Sequence, residues 1–103
     1  MTYKIIIEPI FKRDYKRITA SHPRIKDELF GVLRELETTG KVSAQYDPHL
    51  LVQPGGNYTG YMEFHLAEGR YDVLVIYKPH HTNPSIRLVR MGTHEDLFQG
   101  PAL

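Results

Sequence analysis

Six histidines stand out in a chain of 103 residues that has no cysteine. Histidine changes charge near neutral pH, so it serves in proton transfer, and its ring nitrogens also bind metal ions. His49, His65 and His94 lie in the second half of the chain, at or near the ends of predicted strands. Asp72 opens the predicted strand that follows His65 and adds a carboxylate. One sheet can bring these four side chains together for acid–base chemistry.

The other three histidines lie in predicted turns or loops, where solvated surface residues are common. These are His22, His80 and His81, and the last two can still contact phosphate. Spacing alone favours three unrelated surface histidines over a site at His49, His65 and His94. The sequence has no H-E-x-x-H or H-x-H pattern, so it specifies no metal site. The lack of cysteine excludes a disulfide framework, a Cys-ligated zinc and a thiol nucleophile.

Two groups of basic residues are further candidates. Arg87 and Arg90 lie on the last predicted strand, where each is either part of a solvated face or a planar cation aimed at phosphate. Four basic residues at helical spacing form the first helix's polar side, which is either solvated or a contact for RNA phosphates: Lys12, Arg13, Lys16 and Arg17.

The elements that must position these residues follow from periodicity. A β-branched run at 3–8 predicts a strand, and apolar residues at helical spacing predict two helices, the second ending at Gly40. Alternation then predicts three hairpin-linked strands, at 58–66, 72–77 and 85–91, before a last short turn at 95–98. Strict alternation puts Glu63 and His65 on one face, and extends the face of Ile86 and Leu88 to Arg90.

This order predicts a single α+β domain over residues 1–103, with two helices packed on one face of an antiparallel sheet that includes the first strand. Composition agrees, because 41% hydrophobic and 24% charged residues are ordinary for a globular domain. No apolar run reaches the length needed to span a bilayer, and the N-terminus has no signal-peptide pattern. We therefore expect a cytoplasmic protein without a membrane partner.

Charge adds a constraint on partners. The formal net charge is only +1, which is not typical of a protein that binds free nucleic acid tightly. Residues 1–40 nevertheless carry eight Lys and Arg against six Asp and Glu, whereas residues 41–103 hold five of the six histidines. If the partner is a nucleic acid, the basic first helix is the predicted surface of contact.

Four segments in order resemble the YafQ-like toxins of the RelE/ParE superfamily. They are Asp47-Pro48-His49-Leu50, Glu63-Phe64-His65-Leu66, 72–77 and 90–98, and Phe11-Lys12-Arg13-Asp14 also fits. The resemblance covers 3–98. It implies a type II toxin–antitoxin toxin with a compact fold and a curved antiparallel sheet. It further implies a ribonuclease that cuts mRNA in the ribosomal A site without a metal or other cofactor, inhibiting translation. The toxin would be a monomer when free and a hetero-oligomer with its cognate antitoxin.

The resemblance also implies roles for individual residues. His94 and Arg90 match an R-x-G-[ST]-H pattern, which suggests His94 as general acid and Arg90 as the cation that stabilises the transition state. His65 or Asp72 would be the general base, and His49 would assist or hold phosphate. Phe98 would stack on an mRNA base and Arg87 would bind substrate. The basic residues of the first helix, Lys12, Arg13, Lys16 and Arg17, would contact ribosomal RNA.

Three alternatives stay open. A ParE-like relative would inhibit gyrase rather than cut RNA. A metal-dependent enzyme could use the same histidines and Asp72 as ligands. An inactive relative would bind the antitoxin and do nothing else.

Overall fold

The computed structural model describes residues 2–52, 58–66, 73–93 and 96–97. In those residues a strand is followed by two helices and then by four more strands, with a short 3₁₀ turn at Ala44–Tyr46 before the second strand. The elements are β1 (Lys4–Ile7), α1 (Pro9–Ser21), α2 (Ile25–Thr39), β2 (His49–Leu50), β3 (Met62–Leu66), β4 (Val73–His80) and β5 (Ser85–Gly92). This is the predicted α+β order.

The described strands form one five-stranded sheet in the order β1-β5-β4-β3-β2. The β3–β4–β5 pairings are antiparallel, as predicted, whereas β1 runs parallel to β5 with Ile5 opposite Ile86. The sheet is therefore mixed, which corrects the expectation of a wholly antiparallel one. Both helices lie in sequence between β1 and the other strands, and a crossover of this kind is what a parallel pair requires. The two-residue β2 falls in a segment whose turn-rich sequence predicted no strand.

Both helices pack on one face of the sheet. Pro9 begins α1, where its missing N–H costs nothing. Gly40 ends α2 in the left-handed conformation at φ 74°, and a Cβ there would lie 2.5 Å from the Tyr3 ring, so glycine is required twice over. The predicted end of α2 at Gly40 is confirmed.

Neither helix in the described part of the chain is long and apolar enough to cross a membrane. The main core includes Phe11, Leu29, Leu36, Phe64, Val75, Ile86, Leu88 and Met91.

An irregularity in the β4–β5 pairing changes which β5 residues face the helices. Ile76 is opposite Arg90 but Tyr77 is opposite Leu88, so Val89 is an extra residue on β5. As a result Met91, and not Arg90, continues the core face of Ile86 and Leu88. The alternation that extended this face to Arg90 was wrong, because simple alternation contains no bulge.

The face of the sheet opposite the helices, hereafter the outer face, carries a second and smaller apolar cluster. It contains Leu51, Leu74, Ile76 and Leu97. Leu74 and Ile76 alternate along β4 with Val73, Val75 and Tyr77, which belong to the main core. Glu63 and His65 alternate in the same way with Phe64 and Leu66 along β3, so both lie on the outer face as predicted.

Candidate acid–base site on the outer face

The centre of the site is a contact between His49 and Glu63. The β2–β3 pairing places these two residues directly opposite each other. His49 Nε2 lies 2.7 Å from Glu63 Oε2, and the Glu63 side chain is only 3% exposed against 43% for His49. A buried carboxylate therefore holds one side of an accessible imidazole ring.

Asp47 determines where a proton sits on that ring. The His49 Nδ1–H donates to the backbone carbonyl of Asp47 at 2.9 Å. A carbonyl oxygen can only accept, so Nδ1 must carry a proton. The short Nε2–Glu63 contact then holds one further proton, either on the ring or on the carboxyl group. His49 and Glu63 thus form a unit that shares one proton, with both ring nitrogens of His49 occupied.

His65 completes the group. Its ring stacks on that of His49 with 5.9 Å between centroids and 29° between planes. Its Nε2 lies 3.7 Å from Asp47 Oδ2, and the Asp47 carboxylate is 78% exposed. Asp47, His49 and His65 offer ligand or proton-binding atoms that all lie within 4.8 Å of one another. Two of the predicted site histidines are therefore adjacent and accessible to solvent.

Glu63 itself is costly to the fold. Its Oε1 atom is buried and has no hydrogen-bond partner among the described residues. A buried polar atom without a partner costs about 1–3 kcal/mol, and more when it belongs to a charged group. Such a cost is typical of functional sites, where polar groups are held for chemistry rather than for stability.

The sequence left two environments open for Arg90, a solvated sheet face or a site where its cation binds phosphate. The structure shows neither of them. Arg90 is 8% exposed. Its Nε and Nη2 donate to the two carboxylate oxygens of Asp14 on α1, at 2.7 and 3.2 Å. The hydrogen bond to Asp14 raises the pKa of Arg90, although burial opposes the change, and a hydrogen bond with Tyr58 adds to it. Arg90 and Asp14 thus form a buried ion pair that joins β5 to α1.

The position of Asp14 follows from the sheet topology. β1 pairs with β5 only as far as Leu88, so in the part of the chain that the structure describes the next part of the β5 edge has no neighbouring strand. There Asp14 Oδ2 accepts a hydrogen bond from the Met91 backbone N–H at 3.0 Å. One carboxylate therefore replaces a missing strand and also pairs with Arg90.

Arg17 links Asp14 to Asp96, which follows β5 in the chain. Arg17 lies 3.5 Å from Asp14 and 3.4 Å from Asp96 Oδ2. Thr93 and Asp96 form a reciprocal cap, in which each backbone N–H donates to the other's side chain, and the Leu97 N–H donates to the Thr93 carbonyl. Burial acts to raise the pKa of Asp96, but the Thr93 hydrogen bonds and the Arg17 charge outweigh it and the pKa is lowered.

Three of the four basic residues of α1 line one cleft, and the fourth is paired with carboxylates. Lys12, Arg13 and Lys16 line a shallow cleft of about 200 Å³ beside β1. Arg17 is engaged by Asp14 and Asp96, as described above. The contact of these four residues with RNA stays a prediction, and Arg17 would have to bind phosphate beside its two carboxylate partners.

The remaining predicted residues have the following places. Arg87 is on the outer face with its Nη1 2.7 Å from Glu8 Oε1. Asp72, His94 and Phe98 lie outside the described residues.

The sequence did not predict Glu63 as a site residue, although alternation placed it on the same face as His65. It also missed Asp14, for which the only signal was its place in the Phe11–Asp14 segment.

The fold has known counterparts. A profile described as "Bacterial toxin of type II toxin-antitoxin system, YafQ" matches residues 3–99. No curated protein matches the chain at a significant level. The match and the mixed α+β fold define a RelE-like toxin. The chain belongs to the YafQ family of type II toxin–antitoxin toxins.

Solved structures agree with this family. The YafQ crystal structure from E. coli strain BL21(DE3) is 26% identical with a TM-score of 0.68, and the match covers 92% of this chain and 97% of that chain. YafQ is also matched in the E. coli DinJ-YafQ complex, at 26% identity, a TM-score of 0.67 and the same two coverages. A metal-bound toxin from Helicobacter pylori is 25% identical with a TM-score of 0.67, covering 95% of this chain and 100% of that one.

Proposed function

We propose that this toxin is an endoribonuclease that cuts mRNA in the ribosomal A site, in the cytoplasm, and so inhibits translation. The observation that carries the proposal is the stacked pair His49 and His65, 5.9 Å apart, with Glu63 buried beneath His49. Paired imidazoles and a carboxylate suit proton transfer at neutral pH.

The reaction needs no metal or other cofactor. A base removes the proton from a 2′-hydroxyl, and the resulting oxygen attacks the adjacent phosphorus. The bond from phosphorus to the 5′-oxygen breaks, and an acid gives that oxygen a proton. The products are a 2′,3′-cyclic phosphate and a free 5′-hydroxyl, so atoms and charge balance. Acid and base catalysis of this kind contributes about 10²–10⁴-fold in rate.

We assign proton exchange with substrate to His65, which matches the strand histidine of the family and lies 3.7 Å from the exposed carboxylate of Asp47. His49 has both ring nitrogens occupied by Asp47 and Glu63, so it suits positioning and charge better than proton transfer. Asp72 is the alternative base, His94 the proposed acid, and Phe98 the proposed platform for a base, on the strength of the family resemblance. We propose that Arg90 positions β5 and the segment after it, because Asp14 holds its guanidinium in a buried pair.

The partners follow from the same proposal. Lys12, Arg13 and Lys16 would contact ribosomal RNA phosphates from α1. A cognate antitoxin would bind and neutralise the toxin, as the E. coli relative is found in a complex with DinJ.

The test is induction of the toxin without its antitoxin, followed by mapping of mRNA ends on ribosomes programmed with a defined message. We expect growth arrest and new 5′ ends at the A-site codon, both reduced in His94→Ala and in His65→Ala. His22→Ala is the matched control and should cleave normally, because His22 lies in the turn between α1 and α2, away from the sheet's outer face. Growth arrest without cleavage, together with loss of gyrase supercoiling, would favour the ParE-like alternative. No arrest would favour the inactive relative.

Metal binding is a second candidate, favoured by one observation. Two imidazoles and a carboxylate within 4.8 Å suit a divalent transition metal, and a related toxin from H. pylori is described as metal-bound. A metal at His49 would have to displace Asp47 or Glu63 from a ring nitrogen. Titration with Zn²⁺ and Cu²⁺ by calorimetry, in the parent and in Asp47→Ala, tests the site. Cleavage that persists in EDTA would show that the metal is not needed for the reaction.

A further inference from the structure

A second cleft opens on the outer face, of about 400 Å³, beside the chain between β4 and β5. The residues that line it include Tyr61, Lys78, His80 and Arg87. Only Arg87 was a predicted site residue. The cleft therefore joins one candidate substrate-binding residue to three that the proposed reaction does not use.

The sheet arranges these side chains in a row. Arg87 is directly opposite Lys78 in the β4–β5 pairing. On the other side of β4, the Lys78 Nζ atom lies 4.7 Å from the centre of the Tyr61 ring. His80 is two residues beyond Lys78 and so shares its face of the sheet. Two cations and an aromatic ring thus line neighbouring strands at one end of the outer face.

Hydrogen bonding makes His80 a donor as well. Its Nδ1 accepts the Asn83 backbone N–H at 3.2 Å. An imidazole nitrogen that accepts carries no proton, so the ring's proton is on Nε2. His80 therefore offers an N–H donor beside the two cations.

One carboxylate, that of Glu8, would compete with a bound anion for Arg87 at this cleft. Glu8 Oε1 contacts Arg87 Nη1 at 2.7 Å, and the Arg87 side chain is 54% exposed. A guanidinium has five N–H donors, so one such contact leaves capacity for another anion. An exposed ion pair of this kind contributes little to stability and is readily exchanged.

The cleft lies on the same face as the acid–base site. Leu74 is opposite His65, and Lys78 is four residues further along β4. At about 3.3 Å per residue, the two places are roughly 13 Å apart. A nucleic-acid strand that rises at least about 3.4 Å per nucleotide spans this distance with about four nucleotides or fewer.

We propose that Lys78, Arg87, His80 and Tyr61 form a binding site for the phosphodiester backbone of single-stranded RNA, with Tyr61 available to a base. Cations that follow the backbone, together with an aromatic ring for stacking, are the usual features of such sites. The proposal deepens the proposed function and rests on it, since RNA is the substrate assumed there. The RNA bound can be the mRNA or an exposed strand of ribosomal RNA.

The first experiment measures binding rather than cleavage. Fluorescence anisotropy with a short labelled oligouridylate compares the parent with Lys78→Met over a range of salt concentrations. Loss of one phosphate contact should weaken binding and reduce the slope of log K against log salt by about 0.7. Lys26→Met on α2 removes the same charge from the helical side and should behave as the parent. Glu8→Gln should tighten binding, because it removes the competing carboxylate.

A second arm distinguishes the source of the RNA. Weaker binding of Lys78→Met to both vacant and programmed ribosomes would indicate ribosomal RNA, and weaker binding to programmed ribosomes alone would indicate mRNA. Both results support the site. The proposal is overturned if Lys78→Met and Lys26→Met behave alike with the oligonucleotide and with ribosomes. A parent that binds RNA in this way but does not cleave it would contradict the proposed function and leave the binding site standing.

Discussion

Two buried carboxylates in this protein each contact a nitrogen-bearing side chain at 2.7 Å, yet their surroundings differ. Asp14 pairs with Arg90, and both side chains are less than 10% exposed. Glu63 is equally buried, but its partner His49 is 43% exposed. Every oxygen of Asp14 has a partner, whereas Glu63 Oε1 has none among the described residues.

The comparison separates structure from chemistry within one sheet. A buried pair whose hydrogen bonds are all made fixes the position of its elements, and it offers nothing to a ligand. A buried carboxylate that holds an accessible imidazole by one oxygen instead positions that ring, and His65, the proposed proton-exchanging group, stacks on it. Similar distances therefore imply different roles, and we expect substitutions at the two pairs to change different properties.

The largest effect on stability is expected at Asp14. Asp14→Ala leaves the Arg90 charge buried without its partner and also removes the acceptor for the Met91 N–H. Breaking a buried pair in this way costs about 3–5 kcal/mol. Urea unfolding should show a loss in this range, while Asp47→Asn, at a carboxylate 78% exposed, should change the free energy of unfolding by less than about 0.5 kcal/mol, because asparagine tolerates the left-handed backbone of Asp47 at φ 50°. A loss below about 1 kcal/mol at Asp14 would mean that the pair does not hold α1 to β5.

Glu63→Gln should give the reverse result. The substitution replaces the contact of His49 with a carboxyl group by one with a neutral amide, and hydrogen bonds to charged groups contribute about 1.5–3 kcal/mol against about 0.5–1.5 kcal/mol for neutral ones. We expect mRNA cleavage on ribosomes to fall about tenfold or more. The free energy of unfolding should change by less than about 1 kcal/mol, because the unpartnered buried group becomes part of a neutral amide, and burying a neutral group costs less than burying a charged one. Equal losses of stability and activity would place Glu63 with Asp14 as a structural residue.

The smallest effect concerns the exposed end of the Asp14 network. The lowered pKa of Asp96 means that its carboxylate stabilises the fold above the unfolded value of 3.8 and loses this contribution as pH falls through the folded value. The side chain is 38% exposed, so solvent screening keeps the contribution below about 1 kcal/mol. Asp96→Asn should be slightly less stable than the parent at pH 7, and the difference should shrink below pH 3.8. A difference independent of pH would contradict the assigned ionisation.

Periodicity was sufficient for most of the fold. The helices, Gly40 as the end of α2, and the outer-face placement of Glu63 and His65 all follow from local patterns. Two features were not available from them. The parallel β1–β5 pairing joins residues about eighty positions apart, and the bulge at Val89 depends on how β4 and β5 meet.

The site was predicted in part for a similar reason. His49 and His65 could be singled out because histidines are rare and lay at predicted strand ends. The buried state of Arg90 could not, because it depends on Asp14, which lies 76 residues away on another element. Glu63 looked like an ordinary charged residue on an exposed strand face. The role of Glu63 depends on the two-residue strand β2, which places His49 directly opposite it and which the sequence did not predict.

The most direct test of the acid–base site is the single-turnover rate of mRNA cleavage by His65→Ala on programmed ribosomes. The variant should be slower by about 10²–10⁴-fold, the usual contribution of a positioned acid or base. Its stability should be close to that of the parent, which urea unfolding of the same preparation would establish. Cleavage by His65→Ala at the parent's rate would contradict the assignment of acid–base chemistry to this site.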